Sequence, residues 1–204
     1  MSRSRPANLA ASIRQRLLNL SVSRAEDPNL TLTRFALERL LYRLARSEYA
    51  GQFILKGAML FAVWMESAHR PTRDLDLLGF GEASNERLTE IFQRLCHMEV
   101  EPDGLTFDAR SVRVAEIREG QAYQGQRVKL IGLLGTARIP VQIDVGFGDV
   151  VALANCAISG ESLAVCGVPA GVTISNLSDA LSKLNENFVD CNTDLGCLAL
   201  PDES

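Results

Sequence analysis

Asp74-Leu75-Asp76 sets two carboxylates two residues apart at the start of an apolar run, 74–80. On a strand such a pair shares one face, with Cα atoms roughly 6.5–7 Å apart, so the oxygens can converge on a divalent cation. Upstream, Lys56-Gly57-Ala58 follows a second apolar run and opens a stretch with helical spacing. A glycine there lets backbone N–H groups at a helix N-terminus approach phosphate oxygens, and Lys56 adds a point charge. The plainer alternative is a strand-to-helix turn in which glycine only relieves strain. A third carboxylate, Asp144, alternates with Val141, Ile143 and Val145 and so points away from their apolar face. Magnesium takes hard oxygen ligands, few of them from protein and the rest from phosphate and water. Two such ions about 3.5–4 Å apart can activate an attacking hydroxyl and stabilise a leaving pyrophosphate. Asp74, Asp76 and Asp144 are therefore the candidate catalytic and Mg²⁺-binding set, acting on a nucleoside triphosphate (NTP). Lys56, Gly57, Ala58, Thr72 and Arg73 are the candidate nucleotide-binding set. Asp-Leu-Asp alone would be an ordinary exposed strand end; its combination with the glycine turn and Asp144 carries the expectation. Arg73 reads equally well as a salt-bridge partner of the acidic pair.

These groups need a scaffold, and the hydrophobic periodicity supplies one. Helices are expected over 8–20, 32–46, 57–67 and 84–98, and strands over 52–55, 74–80, 111–118, 126–134 and 139–147. Thr31 or Thr33 would cap the second helix. Arg39, Arg43 and Arg46 line its other side and read as a solvated face, with an RNA-binding face as the alternative. Trp64, Phe61 and Met65 read as core residues. This order describes an α+β (α/β) fold, a mixed β-sheet flanked by helices with N-terminal helices leading.

Composition changes after Val150. Residues 1–150 carry 20 Lys+Arg and 18 Asp+Glu, whereas 151–204 carry one basic residue, Lys183, and seven acidic ones. Four of the five cysteines fall in that tail, with no CxxC and no histidine beside them, which argues against a zinc site. Two segments are expected: 1–150 as the chemical domain and 151–204 as an atypical, poorly ordered acidic tail, with one helix conceivable over 176–189. No run of about 18 uncharged apolar residues is present, so no membrane partner is expected. The arginine-bearing amphipathic start reads as an ordinary helix, and the expected location is cytoplasmic.

LTRFALERLLYRLARS, FILKGAMLFAVW, HRPTRDLDLLGFG and IPVQIDVGFGD occur in this order over about residues 8–150. Together they resemble the AbiEii/AbiGii toxin family of nucleotidyltransferases, a branch of the polymerase-beta-like superfamily. The resemblance implies a nucleotidyltransferase-like fold and transfer of a nucleotide from an NTP to RNA, tRNA included, or to protein, with Mg²⁺. It also implies a cognate antitoxin. By position Asp74 and Asp76 match the metal-binding pair and Asp144 the third carboxylate. Gly57-Ala58 matches a Gly-Gly/Ser turn, with Ala58 a departure. The family's C-terminal helical half, with its Glu-Lys pair, has no counterpart here, since Lys183 lacks the preceding glutamate. The break after Val150 is thus expected to mark truncation, frameshift or replacement. The alternative function is a catalytically inactive relic, or an interaction or nucleotide-binding subunit that keeps the fold.

Overall fold

A computed structural model of the chain describes residues 8–57, 59, 73–117, 124–147 and 164–165. Helix α1 (Leu9–Ser23) is capped by Asn8, whose Oδ1 accepts from the Ala11 N–H at 3.0 Å. Helix α2 (Pro28–Ala45) begins a turn earlier than either threonine would allow. Asp27 caps it, accepting from the Asn29 N–H at 2.9 Å, and Pro28 takes the first helical position, where its missing N–H costs nothing. Helix α3 (Asn85–His97) is capped by Ser84.

The strands are β1 (Phe53–Lys56), β2 (Leu75–Gly79), β3 (Leu105–Ile117), β4 (Gln124–Leu134), β5 (Ala137–Phe147) and the two-residue β6 (Ala164–Val165). They form one mixed sheet in the order β3-β4-β5-β2-β1-β6. Pairing is parallel between β2 and β5 and between β1 and β6, and antiparallel elsewhere. Strand β3 starts earlier than its valine-rich end suggests. Leu105 and Phe107 already bury, and an irregularity between Asp108 and Arg113 separates the two halves of the ladder. The helix expected from Gly57, apart from buried helical Met59, lies outside the described residues. So do Trp64, Phe61 and Met65, and the tail beyond Phe147 other than β6.

Phe53, Leu55, Leu75, Leu77, Val128, Leu130, Val141, Ile143 and Val145 bury one sheet face in a single core with Leu37, Leu40, Leu41 and Leu44 of α2 and Phe92 of α3. Phe92 meets Phe53 edge-on at 6.3 Å between ring centroids. Each such side chain removed from water stabilises the fold by about 1.5–3 kcal/mol. This packing leaves the even-numbered residues of β1, β2 and β5 on the opposite face.

Of the three arginines expected on a solvated face, Arg46, just past the end of α2, is exposed and lies over the Tyr42 ring, but Arg39 and Arg43 are not on such a face. Arg39 and Arg43 are only 8% and 4% exposed. Asp103, in the α3–β3 connection, accepts from Arg39 Nε at 2.7 Å and Arg43 Nη1 at 2.9 Å, and also from the Leu105 N–H at 3.0 Å. Arg43 further donates to the carbonyls of Arg39 and Leu105 and lies over the Phe107 ring. Helical periodicity could not reveal this, because the partner lies some 60 residues away.

Two local features yield measurable consequences. Ala25 closes α1 with φ 51°, and the bonds Glu26 N–H to Ser21 O and Ala25 N–H to Val22 O form a Schellman motif that favours glycine. Ala25→Gly is expected to raise stability by about 0.5–1 kcal/mol in urea titration. Glu38 is buried on α2 with Oε2 unpartnered, and burial pushes its carboxyl up to about 7 against the nearby charges of Arg34, Arg39 and Arg24. Because the folded value is raised, this contribution to stability is fully present below the ordinary glutamate value near pH 4.5 and is lost as pH rises through about 7. Glu38→Gln should therefore gain on the wild type between pH 5 and pH 8, by up to roughly 3 kcal/mol, in unfolding measured at both values.

Candidate active site

Registration across four strands builds a row on the face opposite the core. Lys56 of β1 stands opposite Asp76 of β2, Asp76 opposite Asp144 of β5, and Asp144 opposite Arg127 of β4. Directly opposed residues point to the same face, so the row reads cation, carboxylate, carboxylate, cation. The odd-numbered neighbours Leu75, Leu77, Ile143 and Val145 are buried beneath it, which holds the carboxylates outward. Asp74 lies one residue before β2, half-buried, and acts on Asp76 electrostatically.

Gly57 takes φ 76°, a conformation that L side chains rarely adopt. A Cβ there would also sit on Oδ2 of Asp76 and only 2.8 Å from its Cγ. Glycine is thus required twice over: the chain turns through positive φ, and the Asp76 carboxylate occupies the space above Cα. Strain relief was one expected reason for this residue; room for the carboxylate is a second that no local pattern shows.

The carboxylates feel one another. Burial raises the Asp76 pKa above the ordinary aspartate value, the negative charges of Asp74 and Asp144 raise it further, and Lys56 opposes them. Asp144 gives both its oxygens to Arg127, Oδ1 accepting from Nε at 2.8 Å and Oδ2 from Nη2 at 2.7 Å. The donor chemistry suits a divalent cation: three hard-oxygen groups with mutual repulsion that a cation would relieve. Among the described residues, however, no three His, Cys, Asp or Glu side chains are gathered closely enough to hold a metal ion. In this arrangement the third carboxylate is held by a guanidinium.

The structure therefore brings Lys56, Gly57, Asp76 and Asp144 together, with Asp74 within electrostatic reach. Arg73 is exposed beside them. Ala58 and Thr72 lie outside the described residues. The sequence reading missed Arg127. Its alternation with Val128 marks it as outward-facing, but only the β4–β5 register sets it against Asp144.

Residues 39–169, more than half of the chain, match the family described as nucleotidyl transferase AbiEii toxin of type IV toxin–antitoxin systems. The chain belongs to this family. Comparison with curated proteins gives no match. Among solved structures, JHP933 from Helicobacter pylori is similar over 70% of this chain and 53% of its own, with 10% identity and a TM-score of 0.45. A second H. pylori protein is similar over 65% of this chain and 51% of its own, with 11% identity and a TM-score of 0.42. The chain spans about half the length of these two structures, and likenesses at this level bear on neither activity nor substrate. Among the described residues, no helix is long and apolar enough to cross a membrane.

Gly57→Ala should cost at least about 1–2 kcal/mol of stability from positive φ alone, and more from the displaced Asp76 carboxylate. Gly51→Ala, where a Cβ would meet nothing within 4 Å, should leave the denaturation midpoint almost unchanged.

Proposed function

We propose that the chain transfers a nucleotide from an NTP to an RNA acceptor, tRNA included, or to a protein acceptor. The observation that supports this most directly is the in-register Lys56–Asp76–Asp144 row, with Gly57 folded beneath the Asp76 carboxylate. An acceptor oxygen attacks the α-phosphorus, the new O–P bond forms as the bond to the β-phosphate bridge breaks, and pyrophosphate leaves. The acceptor's proton passes to water by way of a carboxylate of the row. Asp74, Asp76 and Asp144 would hold Mg²⁺, which when bound supplies charge neutralisation and a more acidic acceptor hydroxyl. Lys56 places a positive charge on the same face for the phosphates, and Gly57 makes room for the Asp76 carboxylate beside it. The type IV setting of the family adds an antitoxin as the proposed protein partner.

One observation favours a second reading, a nucleotide-binding or interaction subunit that keeps the fold without turnover. Asp144 is committed to Arg127, and no three ligands are gathered among the described residues.

Incubation with each α-labelled NTP, Mg²⁺ and total RNA or protein separates the two. Transfer is expected, and Asp76→Asn should lower it by roughly a hundredfold or more, the effect of losing several kcal/mol of transition-state stabilisation. Metal-dependent NTP binding without transfer to any acceptor would establish the second reading instead.

A further inference from the structure

Arg127 is the one member of the charged row that the nucleotidyl-transfer reading leaves without a task. Its guanidinium makes a two-pronged pair with Asp144, at 2.8 and 2.7 Å, and thereby ties up both oxygens of the third carboxylate. The pair is not locked in the core: the Arg127 and Asp144 side chains are 36% and 19% exposed. A divalent cation, with twice the charge of the guanidinium, competes with it for the same two carboxylate oxygens. Arg127 would remain nearby after displacement, since its Cα is anchored on β4 directly opposite Asp144, about 5 Å away. A planar guanidinium matches phosphate oxygens through the same fork it offers a carboxylate. The row then carries a cation on each flank of its two carboxylates, Lys56 on β1 and Arg127 on β4, about 14 Å apart along three strand spacings. Lys129, exposed and two residues along β4 on the same face, extends the positive side away from Asp144.

We infer that Arg127 is an exchangeable phosphate-binding residue: it guards Asp144 until a divalent cation takes that carboxylate, and then turns its guanidinium to the triphosphate from the flank opposite Lys56. This rests on the nucleotidyl-transfer reading of the site. A purely structural salt bridge would show a different signature, a loss of stability with no opposed change in ligand affinity.

The test is calorimetric titration of the full chain with Mn²⁺ alone, and with each of the four NTPs in the presence of Mn²⁺. Removing the guard in Arg127→Gln should tighten Mn²⁺ alone by about fivefold, the scale of a part-exposed ion pair. The same variant should weaken NTP binding in Mn²⁺ by roughly tenfold, the scale of one charge-assisted contact. Arg127→Lys keeps the charge but not the fork, so it should move both affinities in the same opposed directions by less. It also carries the test if Arg127→Gln fails to fold, as judged by circular dichroism. Wild-type affinities in both variants, or Mn²⁺ and NTP affinities that shift together, would overturn the inference while leaving the reading of the site intact. A wild-type chain that binds neither Mn²⁺ nor any NTP would overturn that reading itself, and the role of Arg127 with it.

Discussion

A parallel ladder between β2 and β5 sets Leu75 against Ile143 and Asp76 against Asp144, so the first pair is buried and the second faces outward. The rest of the site depends on that register. Side chains alternate with a period of two, so a slip of β2 by one residue would drive Asp76 into the core and expose Leu75 and Leu77. Burying a charge without a partner costs far more than burying an apolar side chain gains, which makes the slipped register inaccessible. The hydrophobic layer beneath thus acts as a positioning device for the acidic groups above it.

The helical layer secures that arrangement by polar as well as apolar means. Asp103 gathers Arg39 and Arg43 of α2 and the start of β3 into one buried network, with the Phe107 and Tyr42 rings stacked on the guanidiniums. Such a network adds orientation more than net stability, because desolvation offsets most of the Coulombic gain. Its geometric effect is to join α2 to the β3 edge at one end of the sheet. The two arginine environments contrast: Arg39 and Arg43 of α2 are buried around Asp103, whereas Arg127 on the open face pairs within reach of water.

Much of the scaffold was legible in the order of residues. The alternation Val141, Ile143, Val145 marked β5, and the spacing Leu88, Ile91, Phe92, Leu95 marked α3, because burial on one face leaves a period that survives in sequence. Boundaries were less legible. Asp27 and Pro28 start α2 ahead of Thr31 and Thr33, and β3 begins at Leu105, where an irregularity breaks the alternation that would have extended it. The site was legible as a set of types: a carboxylate pair, a later aspartate and a glycine turn with its lysine.

By itself the sequence determined which residues could do chemistry and which face of its strand each would occupy, since residue type and period-two alternation are local properties. The tertiary structure alone decided who stands beside whom. Asp76 meets Asp144 across 68 residues of chain, Gly57 clears space for Asp76, and Arg127 reaches Asp144. These are matters of strand order and register, which arise from the packing of the whole sheet against α2 and α3 and leave no trace in any short stretch of the chain.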